Sequence, residues 1–131
     1  MRPFVDTNVL LYLIGADAAK AAIAEAALRN RIVISVQVLN EFAAVARRKH
    51  RLPWPTLETA LVDIRHFADV RAIDLSTHQR GLALAERYQL GIYDAMIAAA
   101  ALEAGCDTLL SEDLQSGQVL DKTLTLRNPF I

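Results

Sequence analysis

The feature that most constrains this chain is its opening run, Pro3-Phe4-Val5-Asp6-Thr7-Asn8-Val9-Leu10-Leu11-Tyr12. A segment of inner-strand character runs straight into a carboxylate, and apolar residues then resume at helical length. In an open α/β sheet the ligand cleft lies beyond the carboxyl ends of the strands, so Asp6 falls at that edge. Taken alone, Asp6 and Asn8 read either as a turn and helix cap or as the anchor of a metal site. The remaining acids have to decide.

The rest of the chain alternates strand and helix signals. Val9 to Ile14 predicts a short helix ended by Gly15, and Asp17 opens a second over Ala18 to Leu28, with Glu25 and Arg29 spaced i,i+4. Ile32-Val33-Ile34 is a β-branched inner strand. Ser35 then caps a helix through Lys49 whose apolar stripe includes Val38, Phe42 and Val45. Leu52-Pro53-Trp54-Pro55-Thr56 is a stiff corner that introduces a helix from Leu57 to Phe67. Val70 to Ile73 predicts a third strand, and Ser76 with Gln79 has the spacing of a capping box for a helix through Tyr88. An alanine-rich helix, Tyr93 to Glu103, closes at Gly105 and leads into a strand at Thr108-Leu109-Leu110. The tail from Gly117 to Phe130 predicts a small edge strand or hairpin around Asp121-Lys122. The pattern predicts one domain over residues 1–131, an α/β sandwich around a mostly parallel sheet. Strand order is not contained in it.

Bulk properties narrow the function classes. A content of 53% hydrophobic and 22% charged residues excludes a disordered chain. The one cysteine, Cys106, has no internal partner, which fits a reducing compartment. Asp6 interrupts any apolar run of signal length, and nothing approaches the roughly 18 apolar residues of a membrane span. The expectation is a cytoplasmic protein without a membrane partner. A formal charge of −1 is unlike that of a protein that wraps nucleic acid; contact with phosphates would need a local patch or a metal.

Four acids share the sheet edge in this reading. Asp6 and Asp113 follow strand ends. Glu41 shares a helix face with Val38 and Val45, and Asp94 stands in the first turn of the alanine-rich helix, in line with Ile97, Ala98 and Ala101. Each has a plain structural reading as a turn, a cap or a boundary residue. Four carboxylates converging without matching cations would raise one another's pKa. A divalent cation relieves that, and hard oxygen donors favour Mg2+ or Mn2+ over zinc. The three histidines, His50, His66 and His78, have no ligand spacing with Cys106.

These residues also carry a family resemblance. Phe4-Val5-Asp6-Thr7-Asn8-Val9-Leu10-Leu11-Tyr12, Glu41 in its helix, Tyr93-Asp94-Ala95-Met96-Ile97 and Leu110-Ser111-Glu112-Asp113-Leu114 resemble, in order, the four acidic motifs of the PIN-domain nucleases, and most closely the VapC-type toxins of bacterial toxin–antitoxin pairs. The terminal Asn128-Pro129-Phe130 is similar to the end of many such toxins. The resemblance implies a three-layer α/β/α sandwich and an endoribonuclease using Mg2+ or Mn2+. It also implies a homodimer, restrained by a cognate antitoxin and acting on RNA. Asp6, Glu41, Asp94 and Asp113 would be both catalytic and metal-holding, with Asn8 and Ser111 orienting them.

The one dense basic run, Arg47-Arg48-Lys49-His50-Arg51, reads as a solvated helix end favoured by the dipole or as an RNA-backbone contact through Arg47, Arg48, Lys49 and Arg51. Two rivals stand beside the nuclease. One is a non-catalytic α/β binding module. The other is a haloacid-dehalogenase-like phosphatase with Asp6 as nucleophile, which would carry a second acid where this chain has Asn8.

Overall fold

A computed structural model describes residues 2–131. Six strands form one sheet: β1 (Phe4–Val5), β2 (Ile32–Ser35), β3 (Ala68–Arg71), β4 (Thr108–Leu110), β5 (Val119–Leu120) and β6 (Leu124–Arg127). Their order across the sheet is β3-β2-β1-β4-β6-β5. All neighbouring pairs are parallel except β5 with β6, the terminal hairpin. Helices α1 (Thr7–Leu11), α2 (Ala18–Ala27), α3 (Val36–Arg48) and α4 (Trp54–Phe67) fall between β1 and β3 in the chain. Helices α5 (Leu75–Tyr88) and α6 (Ile92–Glu103) connect β3 to β4.

Two crossovers step one way from β1, and the third returns past it to β4. Right-handed connections therefore place α1 to α4 on one face and α5 with α6 on the other. The contacts agree, with α1 and α4 both packing on α3, and α5 packing on α6. The result is a three-layer α/β/α sandwich whose strand order reverses between β1 and β4. Both strands are buried, with Phe4, Val5 and Leu109 at 0% exposure. The middle of helix α6 is apolar all round because it is covered all round: Ala95 to Ala101 are all buried. Its small side chains let α5 approach so closely that a Cβ at Gly81 would run into the Met96 thioether.

Several boundaries differ from the sequence expectation. Helix α1 starts at Thr7 rather than Val9, because Asp6 itself is the cap and accepts the Thr7 N–H at 2.7 Å. The prolines do not delay α4 to Leu57. The first turn of a helix needs no N–H from them, so the helix begins at Trp54 with Pro53 as its cap. Strand β3 lies two residues earlier than Val70 to Ile73. Its register runs from Ala68 opposite Ile32 to Arg71 opposite Ser35, and Ser35 is committed to capping α3, so pairing stops there. The capping box of α5 is Asp74 with Thr77, not Ser76 with Gln79. Asp74 accepts the Thr77 N–H at 3.0 Å, and Ser76 instead donates to Glu103. The β5–β6 turn holds Asp121 and Lys122 at φ 47° and 68°. Among the described residues no helix is long and apolar enough to cross a membrane.

Candidate functional site

The reversal of strand order opens a crevice at the carboxyl ends of β1 and β4, the place where open α/β sheets bind ligands. The register sets Val5 beside Leu110, so the next residues on each strand, Asp6 and Ser111, come together. The Ser111 hydroxyl donates to Asp6 Oδ2 at 2.8 Å, and both side chains are buried. Asn8, in the first turn of α1, reaches across the same gap. Its Nδ2 donates to Asp113 at 3.0 Å and lies 3.4 Å from both Asp6 Oδ2 and Ser111 Oγ. Its Oδ1 accepts the Glu112 backbone N–H at 3.1 Å. Asn8 thus ties the end of β1 to the loop after β4.

Glu41 arrives from α3. The Thr7 hydroxyl donates to Glu41 Oε2 at 2.9 Å and the Gln37 amide to Oε1 at 3.2 Å. Asp94, half-buried in the first turn of α6, comes from the opposite face of the sheet and takes no part in these hydrogen bonds. All four acids, with Thr7, Asn8 and Arg48, line one open cleft of about 350 Å³. The sequence expectation placed the acids at one edge; the structure adds Thr7 and Gln37, which it did not single out. Gln37 could have been found from its i,i+4 spacing to Glu41. Thr7 reads in sequence only as part of a turn.

Electrostatics separates these acids from ordinary surface carboxylates. Burial raises the Asp6 carboxyl from its usual 3.8 to about 6; hydrogen bonds from Ser111 and Thr7 pull it down, and the charges of Asp94 and Glu41 push it further up. Burial likewise raises Asp94, with Asp113 and Glu41 adding to the shift. None of the four acids is ion-paired among the described residues. Nor do any three His, Cys, Asp or Glu side chains among them stand close enough to form a ready-made metal cage. The carboxylates ring the cleft rather than meet at a point. Such an all-oxygen ring suits a hard cation that keeps part of its water shell, as Mg2+ does, and a dication would relieve the repulsion that raises Asp6 and Asp94.

The basic run divides by position. Arg48 lines the acidic cleft. Lys49 and His50 line an adjoining depression with Tyr12, Asp17 and Glu112. Arg51 is exposed at φ 53°. Arg47 turns away, its Nη1 donating to the Leu52 carbonyl at 2.8 Å and its guanidinium lying 4.2 Å over the Trp54 ring.

The family model described as PIN domain matches residues 4–119 of this chain. Solved structures share its fold. A toxin–antitoxin complex from Klebsiella pneumoniae aligns over 97% of both chains, with a TM-score of 0.74 and 20% identity. VapBC2 from Rickettsia felis, bound to a DNA fragment from its promoter, aligns over 98% of both chains at a TM-score of 0.69 and 20% identity. VapC20 of Mycobacterium tuberculosis, a toxin that cleaves the sarcin–ricin loop, covers 81% of this chain and 85% of its own at a TM-score of 0.66 and 20% identity. No curated protein matches the sequence.

Proposed function

We propose, from the premise that this chain belongs to the PIN domain family, that it is a Mg2+- or Mn2+-dependent endoribonuclease and the toxin of a toxin–antitoxin pair. The observation that carries the reading is the ring of four carboxylates, Asp6, Glu41, Asp94 and Asp113, drawn from four parts of the chain onto one cleft with no cation paired to any of them among the described residues. When bound, the ion would make water more acidic and neutralise charge developing on the scissile phosphate. The chain's own residues prepare for it. Ser111 and the Thr7 N–H fix Asp6, Thr7 and Gln37 fix Glu41, and Asn8 holds Asp113 against the end of β1. Such orienting partners are worth about 10- to 100-fold in metal affinity. Arg48 adds a cation at the cleft for an RNA phosphate.

The same fold in VapBC complexes supports an antitoxin protein as partner. Exposed Leu82, Ile92 and Tyr93, on α5 and α6, support a homodimer, which light scattering checks directly. We place the protein in the cytoplasm, where cellular RNA is available. The Asn at position 8 speaks against the phosphatase reading, since it is spent in bridging Asp6, Ser111 and Asp113.

The test is incubation of purified protein with cellular RNA, with Mn2+ or with chelator, beside the Asp6→Asn protein. Cleavage that needs the metal and disappears in the variant is the expected result. Equal degradation by the variant would assign the activity to a contaminant. Failure to cleave together with failure to bind metal would return the chain to the non-catalytic binding module.

A further inference from the structure

The chain contains one tryptophan, Trp54, and it is 60% exposed. A lone exposed apolar residue needs no explanation in itself, but the setting of this one is unusual. It is the first residue of α4, between Pro53 and Pro55, whose rings fix the backbone on either side. Arg47 is pinned to the Leu52 carbonyl and lays its guanidinium 4.2 Å over the indole. One face of the ring is therefore backed by a cation, while more than half of the residue stays open to solvent. The next residue along α3 is Arg48, which lines the acidic cleft.

Each of these features has a chemical consequence. A base stacks on an aromatic ring whatever its identity, and arginine adds to such stacks. A ring already held by two prolines and a guanidinium loses little freedom when a ligand arrives, so less of the stacking energy is spent on ordering it. Its neighbours Arg47, Arg48, Lys49 and Arg51 suit a polyanion and not the contiguous apolar patch of a protein interface. Arg47 and Arg48 are consecutive in α3, the first backing the indole and the second lining the cleft.

We propose that Trp54 is a stacking platform for a base of single-stranded RNA flanking the scissile phosphate, with Arg47 backing the ring and Arg48 holding the backbone between ring and cleft. The proposal rests on the ribonuclease reading above. A platform of this kind needs an unpaired base, since a base inside a duplex has no free face to offer.

Because no other tryptophan is present, intrinsic fluorescence reports on this ring alone. The experiment uses the full chain as Asp6→Asn, with chelator to prevent cleavage. Poly(U) and poly(A) are titrated in while tryptophan emission is followed, and anisotropy of labelled oligouridylate and oligoadenylate measures binding independently. Emission should be quenched at saturation. Adding Trp54→Ala should weaken binding by about fivefold to a hundredfold, whereas Trp54→Phe should retain most of the affinity. RNA binding seen by anisotropy with no quenching and no loss in Trp54→Ala would overturn the platform and leave the ribonuclease reading standing. No binding by either method would overturn the platform, while the ribonuclease reading stands or falls on the cleavage and metal-binding tests above. A Trp54→Ala protein that keeps its RNA affinity but loses a co-expressed antitoxin would assign the surface to the protein partner and overturn the proposal.

Discussion

Two carboxylate settings lie side by side after β4, and they are opposites. Glu112 is matched. It accepts from Lys20 Nζ and from the Tyr12 hydroxyl, both at 2.6 Å, and Lys20 also lies over the Tyr12 and Phe130 rings. Burial works to raise Glu112, but the hydrogen bonds from Lys20 and Tyr12 outweigh it and hold the carboxyl below its usual range. Its neighbour Asp113 turns the other way, to a cleft where Asp6 and Asp94 are raised and Arg48 is the only cation among the lining residues. One cluster is electrostatically finished and ties α2, α1 and the C-terminal tail to the β4 loop. The other is left unfinished, a state that costs stability and that a bound cation would relieve. Function concentrates where the folded chain leaves charge uncompensated.

The comparison is broken most severely by emptying the unfinished cluster. Asp94→Asn or Asp6→Asn should lower RNA cleavage by at least about a hundredfold, and Glu41→Gln by a similar factor, with the fold retained by circular dichroism. A rate within severalfold of wild type in any of them would remove that residue from the site. Removing the supports is the next test. Ser111→Ala or Thr7→Val should weaken Mn2+ binding by about 10- to 100-fold, read by calorimetry.

The unfinished cluster should also be visible in stability. Asp6 is raised from 3.8 unfolded to about 6 folded, so between those values the folded chain binds more protons than the unfolded one. In the metal-free protein Asp6 therefore contributes stability that is fully present below about pH 4 and is lost as pH rises to about 6, by up to ~3 kcal/mol. Denaturant melts across that window would show it, and Asp6→Asn should flatten the slope while raising the metal-free Tm at pH 7. A stability difference between wild type and Asp6→Asn that does not change across the window would contradict the assignment. The smallest effect belongs to the matched cluster. Lys20→Met should lower Tm modestly and leave Mn2+ affinity within severalfold, because its partner Glu112 faces away from the cleft.

The residues that were legible in sequence are those whose position follows from local rules. Asp6 and Asp113 stand after inner strands, and Asp94 heads an apolar helix, so their meeting at a sheet edge needed only the α/β pattern. Glu41 followed from its spacing to Val38 and Val45. Strand order was not legible, because β1 chooses β4 as a neighbour through contacts about a hundred residues apart, Phe4 with Leu109. The α5 cap was misplaced since Asp74, Ser76 and Thr77 are all competent acceptors, and only the packing of α5 on α6 chooses among them. Trp54 was hidden inside a proline corner that reads as a break, although prolines are equally at home in a first turn. The Lys20–Tyr12–Glu112 cluster joins residues 8 and 92 positions apart, which no local pattern connects.

The central proposal is that acids from both faces of the sheet act together in holding divalent metal. Calorimetric titration of Mn2+ into wild-type and Asp94→Asn protein at pH 6, repeated in buffers of different ionisation enthalpy, tests it most directly. Asp94 is the informative position because α6 packs on the face opposite α1 and α3. Wild type should bind Mn2+ with release of protons, since Asp6 is about half-protonated at that pH, and Asp94→Asn should bind at least about tenfold more weakly. Equal affinity in the two proteins, or binding that displaces no proton, would contradict it.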